Sequence, residues 1–271
     1  MTVFPNAKIN IGLAITGKRS DGYHDIETVL YPLKIYDALE IIPDPNGSDI
    51  AFSISGESLP IPDEKNLCVK AFRLLDEQFG LPAVKMHLHK NIPSGAGLGG
   101  GSSDAAYTLR LTNELFGLNL SIEELEDYAR VLGSDCAFFI RNEPVYAFGK
   151  GDEFRPLQLN LDAWSLAVVM PELEIATSLA YKGVTPQNGG YSLETEYRRG
   201  PEAWKDVVKN DFEESIFREY PELSRVKEAL YAEGAIYASM SGSGAAVYGI
   251  FRKKTLLPAL EETCRVFYDA G

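Results

Sequence analysis

Basic residues are scarce in this chain of 271 residues, with 26 Lys and Arg against 39 Asp and Glu and a formal net charge of −13. Nucleic acid and acidic membrane both demand a basic footprint, so neither is expected as a partner. Cysteine is also sparse. Cys68, Cys136 and Cys264 are odd in number, far apart and without metal-ligand spacing. They argue against a disulfide framework or a structural zinc and predict reduced thiols. Long apolar runs are missing although 45% of the chain is hydrophobic, so no membrane-spanning helix is expected. The first residues have neither signal-peptide nor transit-peptide character, and the expected location is cytoplasmic. There are no internal repeats and no low-complexity tracts. The length allows one large core or two modest ones, and two domains is the better reading.

What the chain does have is glycine, concentrated in one stretch, Asn91-Ile-Pro-Ser-Gly-Ala-Gly-Leu-Gly-Gly-Gly-Ser-Ser-Asp-Ala-Ala106. Glycine has no side chain to pack and loses the most backbone entropy on ordering, so such a run suits backbone at φ > 0 or close to a ligand. Ser102 or Ser103 can cap the helix that follows, which is expected to run to Gly117. A glycine loop opening a helix gathers unpaired N–H groups at the positive end of the dipole, a site for an anion and usually for phosphate. Gly95-x-Gly97-x-x-Gly100 also matches the dinucleotide fingerprint, with Glu123 and Glu124 near the expected spacing. The preceding Val84-Lys-Met-His-Leu-His-Lys90 argues against that reading. It alternates apolar and polar residues, whereas a first Rossmann strand is apolar throughout. No Gly-Lys-Ser/Thr closes the loop, so it is not a Walker A loop; a glycine turn without a ligand is the remaining alternative.

In Asn6-Ala-Lys-Ile-Asn-Ile-Gly-Leu-Ala-Ile15 the period of two puts Ile9, Ile11, Leu13 and Ile15 on one face, and Lys8, Asn10 and Gly12 on the other. The polar face reads either as a solvated surface or as one side of a polar cleft. Gly17–Asp25 is a turn-rich loop. Strands are expected at Asp37–Pro43 and Ile50–Gly56, and helices from about Asn66 to Phe79 and from Ser121, where Ser121-x-x-Glu124 makes a capping box, to about Gly133. Asp135 follows directly in Leu132-Gly-Ser-Asp-Cys-Ala-Phe-Phe139, either capping the next element or lying half-buried. Charged and proline residues around Asp152–Asp162 suggest a domain boundary. Beyond it the pattern predicts a strand at Trp164–Met170, a short helix near Thr177–Lys182 and a mobile loop at Thr185–Arg199. A long helical stretch at Asn210–Glu233 and a last helix over about Lys254–Tyr268 complete the pattern. Between them lies a second glycine turn, Met240-Ser-Gly-Ser-Gly-Ala-Ala246. This order suits an antiparallel sheet with helices on one side.

The Pro-x-Gly-x-Gly-Leu-Gly-Gly-Gly-Ser-Ser string resembles the ATP phosphate loop of the GHMP small-molecule kinases, and the turn at 240–246 completes their motif order. The resemblance spans the chain and implies an α+β, two-domain fold. Residues 1–157 would form a ribosomal protein S5 domain 2-like ATP-binding domain, and 158–271 a ferredoxin-like domain. It also implies ATP and Mg²⁺ as cofactors. Asp21-Gly-Tyr-His24, Leu132-Gly-Ser-Asp135 and Asn210-Asp-Phe-Glu213 resemble one branch of that superfamily, which phosphorylates the 2-hydroxyl of 4-diphosphocytidyl-2-C-methyl-D-erythritol in the non-mevalonate isoprenoid pathway. By this resemblance Lys8 and Asp135 would be catalytic, and Asn10 and Thr177 would contact the substrate. Tyr23 and Tyr181 would sandwich the cytosine, with His24 bonded to its edge. Asn66 and Lys90 would lie beside adenine. Pro93, Ser94, Gly95, Ala96, Gly97, Leu98, Gly99, Gly100, Gly101, Ser102 and Ser103 would hold the ATP phosphates. No metal ligand is identified and no obligate protein partner is implied. The rivals are a mevalonate-type or homoserine kinase, and a non-catalytic sensor on the same fold; a sensor would have lost Lys8 or Asp135, and both are present.

Overall fold

The computed structural model describes residues 1–57, 62–184, 186 and 193–269. The chain begins with β1 (Thr2–Val3), β2 (Asn6–Lys18), β3 (His24–Tyr36), β4 (Ala38–Pro43) and β5 (Ala51–Gly56). Next come α1 (Leu67–Phe79), β6 (Val84–Lys90), α2 (Gly100–Phe116), α3 (Ile122–Leu132) and α4 (Phe138–Arg141). The second half holds β7 (Val145–Phe148), β8 (Glu153–Pro156), β9 (Ser165–Pro171), α5 (Thr177–Lys182) and α6 (Leu193–Glu196). It closes with α7 (Glu213–Glu219), α8 (Pro221–Ala232), β10 (Tyr237–Met240), β11 (Val247–Phe251), α9 (Pro258–Glu261) and β12 (Cys264–Asp269).

The chain forms two compact units, and their boundary is not a single cut near residue 157. Residues 1–7, 36–94 and 99–143 make one; 8–35, 95–98 and 144–271 make the other. The reason is strand pairing: β3 pairs antiparallel with β7, and β7 with β8, so the early strands join the later half.

The first unit is built on a sheet of order β1-β4-β6-β5. β6 alternates buried and exposed along its whole length, as its sequence predicts. Its apolar face, Val84, Met86 and Leu88, packs with Leu39 and Ile41 of β4 against Cys68 and Phe72 of α1 and Leu111 of α2. Helix ends follow local chemistry. The Asn66 side chain accepts from Cys68 N and caps α1, and Gly80 ends it in the left-handed region. The Ser121–Glu124 capping box opens α3 with both reciprocal bonds in place. α2 starts earlier than expected, with Gly99 as its cap and no side-chain cap bond. Ser102 and Ser103 therefore lie in its first turn.

The second unit holds the sheets β2-β3-β7-β8 and β10-β11-β9-β12, the latter antiparallel throughout. Its core joins Leu13 and Ile15 to Val169, Val247, Phe212, Leu223 and Leu230. Two expectations fail here. The stretch 210–233 breaks into α7 and α8 because Pro221 starts a new helix and disfavours helical backbone at Tyr220. The expected last helix is only the short α9. The segment after it extends as β12 and pairs with β9, a placement that suits Val266, Phe267 and Tyr268. Of the loop 185–199, residues 185 and 187–192 lie outside the described residues, while 193–199 form α6 and a 3-10 turn.

Candidate active site

In the second unit Lys8 and Asn10 sit on β2 and are buried, at 3% and 4% exposure, so the reading of a solvated lysine is corrected. Both strand faces are covered. The Lys8 ammonium donates to Asn10 Oδ1 at 2.5 Å and to the Gly97 carbonyl at 3.0 Å. Asn10 is held in turn: its Nδ2 donates to Thr28 Oγ1 at 3.0 Å, and its N–H donates to Ser241 Oγ at 3.2 Å.

Two glycine turns meet here, backbone to backbone. Ser241 Oγ donates to the Gly97 carbonyl at 2.7 Å, Lys8 N to Leu98 O at 2.9 Å, and Ala246 N to Ala96 O at 3.1 Å. Gly97 has φ +76°, and a Cβ there would lie 2.0 Å from the Ser241 carbonyl, so only glycine fits. Thr177, at the start of α5, has its hydroxyl 3.3 Å from that of Ser243 in the same turn. Asn210 fixes the turn from below, donating through Nδ2 to Met240 O at 2.9 Å and Gly242 O at 2.8 Å.

The aromatic residues expected to bind the cytosine all lie in this unit. The His24 ring stacks on Tyr181 with centroids 4.9 Å apart, and Tyr181 meets Phe212 edge-on. Tyr23 is 61% exposed, and Lys150 Nζ lies 5.6 Å from its ring centroid.

The glycine segment is divided, with Gly95–Leu98 in the unit of Lys8 and Gly99–Ser103 in the other. In that other unit the first turn of α2 presents amides at the helix N-terminus, and Ser103 Oγ is buried without a hydrogen-bond partner. Burial pushes the thiol of Cys136, the residue after Asp135, up to about 12. Asp135 itself is half-buried in the turn between α3 and α4. The cap position of α4 is Ala137, so Asp135 does not occupy it. Lys90 is 2% exposed, its ammonium bound to Asp37 and, at 2.7 Å, to Asp104. Burial opposes its charge, but the two carboxylates prevail and hold it above the ordinary lysine value.

Comparison with known proteins decides what this arrangement belongs to. Residues 66–143 match the GHMP kinases N terminal domain and residues 197–269 match the GHMP kinases C terminal domain. The chain is a GHMP kinase. It is 48% identical over 273 residues to the 4-diphosphocytidyl-2-C-methyl-D-erythritol kinase of Bacteroides thetaiotaomicron, covering 100% of this chain and 99% of that one. The enzyme of the same description from Azobacteroides pseudotrichonymphae is 50% identical across 93% of this chain and 94% of its own. A crystal structure of 4-(cytidine 5'-diphospho)-2C-methyl-D-erythritol kinase superposes with a TM-score of 0.83 at 32% identity, covering 99% and 98% of the two chains. A mevalonate kinase structure, at 14% identity and a TM-score of 0.73, shares the fold alone.

In this GHMP kinase the structure gathers Lys8, Asn10, Ala96, Gly97, Leu98 and Thr177 about the second glycine turn, and pairs His24 with Tyr181. Asn66 caps α1 and Lys90 lies in an ion cluster with Asp37 and Asp104. Sequence reasoning assigned no part to Thr28, Asp37, Asp104, Ser241 or Asn210. Ser241 and Asp104 stood inside the glycine strings already singled out, and Asn210 inside the Asn-Asp-Phe-Glu string; Asp37 carried no local signal.

Proposed function

We infer that this GHMP kinase transfers the γ-phosphate of ATP to the 2-hydroxyl of 4-diphosphocytidyl-2-C-methyl-D-erythritol, giving ADP and the 2-phosphate. The single observation that carries the substrate assignment is the 48% identity to a kinase of that description along essentially the full length of both chains. The site geometry supports it. A kinase works mainly by positioning and by stabilising charge. Lys8, desolvated and locked between Asn10 and the Gly97 carbonyl, is suited to stabilise negative charge developing on an alcohol oxygen. Asp135 would accept or orient the hydroxyl proton. The amides at the start of α2 would receive the phosphates of MgATP, with the cation arriving on the nucleotide. The His24–Tyr181 pair would recognise the cytosine, through the tyrosine face and the polar edge of the imidazole.

An ADP-release assay tests the reading. With ATP and Mg²⁺, turnover is expected with the cytidyl substrate and at least a hundredfold less, in kcat/KM, with mevalonate or homoserine. Comparable turnover of mevalonate or homoserine would reassign the substrate within the family.

A further inference from the structure

Two buried carboxylates, Asp37 and Asp104, have no part in the chemistry above, yet both bear on the glycine segment. Asp37 lies between β3 and β4. Its Oδ1 accepts from the backbone N–H of Asn91 at 2.5 Å and of Ile92 at 2.8 Å, the residues that lead into the segment. Its Oδ2 accepts from the Lys90 ammonium, which also donates to Asp104 Oδ2 at 2.7 Å. Asp104 belongs to α2, just past the segment's end. One ammonium thus ties the residues before the glycines to the helix after them. A Cβ on Gly100 would fall 3.2 Å from Lys90 Nζ and 2.8 Å from Ile92 Cγ2, so the ammonium packs directly under the backbone where α2 begins.

A buried ion cluster of this kind is poor value as a stabiliser, since apolar residues of like volume often serve as well. Its distinctive product is fixed geometry. The triad is also unbalanced: two carboxylates share one ammonium, leaving one net negative charge when all are ionised. Asp104 Oδ1 is buried without a partner. Burial pushes the Asp104 carboxyl up to about 7, with Lys90 opposing and Asp37 adding to the shift. The other titratable group facing it is Cys68 on α1, whose thiol burial holds far above its ordinary value and therefore neutral.

We propose that Asp37 and Asp104 are positioning residues for the nucleotide: joined through Lys90, they fix both ends of the glycine segment, and the triad takes up a proton when the polyphosphate binds. The proposal rests on the ATP reading above. An ionised Asp104 makes the triad negative beneath an incoming polyanion, and a protonated one makes it neutral. Nucleotide affinity is therefore highest below the Asp104 titration and falls as pH rises through about 7.

The test is titration calorimetry of the full chain with a non-hydrolysable ATP analogue and Mg²⁺, from pH 6 to 8.5, in buffers of different ionisation enthalpy. Wild type is expected to take up more protons per analogue bound at pH 7.5–8 than Asp104→Asn. Its Kd should weaken across the range at least threefold more than that of the variant. Asp37→Asn should weaken analogue binding about tenfold while leaving the Kd for the cytidyl substrate within twofold. If Asp37→Asn does not fold, the Asp104→Asn comparison decides alone. Normal wild-type binding with equal proton uptake and equal pH dependence in Asp104→Asn overturns this proposal and leaves the ATP reading intact. No analogue binding by wild type overturns both.

Discussion

Gly97 and Gly95 separate two reasons for which a residue must be glycine. Both have positive φ, +76° and +70°. A Cβ on Gly95 would meet nothing within 4 Å, whereas one on Gly97 would lie 2.0 Å from a backbone carbonyl oxygen. Gly95→Ala should therefore cost only the left-handed backbone penalty, roughly 1–2 kcal/mol. Gly97→Ala carries that penalty and must also push two backbone segments apart. It is expected to destabilise clearly more in urea unfolding. It should also lower kcat, because the Gly97 carbonyl is one of the acceptors that hold the Lys8 ammonium. Equal unfolding midpoints for the two variants would show that the turns yield freely, contrary to the close packing described.

The elements show what sequence can and cannot reveal. α1 and α3 were legible to within a residue because their signals are local: the Asn66 cap, the Ser121–Glu124 box, and Gly80 and Gly133 at the ends. β12 was not legible. Its residues favour a strand only once β9 is beside them, and that edge is remote in sequence. The same limit applies in the site. Lys8 and Asn10 could be placed on one strand face from alternation alone, but the burial of Lys90 depends on Asp37 and Asp104, which no local pattern brings together. Asn210-Asp-Phe-Glu213 was readable as a string and its job was not. In the structure Asp211 Oδ2 accepts from Ile15 N of β2 at 2.8 Å, and Glu213 Oε1 accepts from Met240 N at 2.8 Å. Asn210 meanwhile holds the turn between β10 and β11. The string is thus a clamp between β2 and that turn. Asn210→Ala takes the amide donor from two buried carbonyls, and a loss of about 1–3 kcal/mol is expected. It should appear as a lower urea midpoint with unchanged slope, together with a fall in kcat as Ser241 and the Lys8 acceptors shift. A stability change below about 0.5 kcal/mol would mean that the turn is held by its own backbone.

At the scale of the whole molecule, a protein of net charge −13 is asked to bind two polyanions, ATP and a cytidyl diphosphate. Long-range attraction cannot be the means, because the summed field of the chain repels both. What attracts must act at contact range, and the means proposed above are helix-terminal amides, a few placed lysines and a cation carried by the nucleotide. Salt distinguishes the two regimes. Screening falls to about 10 Å at 0.1 M ionic strength, which quenches the distant repulsion and barely touches partly buried contacts. Raising KCl from 20 to 200 mM at fixed free Mg²⁺ should therefore leave kcat/KM for MgATP flat or raise it, with KM changing less than about threefold. A site that relied on a basic patch would behave oppositely, losing affinity steadily over the same range. A tenfold or greater fall in kcat/KM would place the attraction in side-chain charge and not in the loop amides, and the glycine segment would then lose its claim to be the principal phosphate cradle.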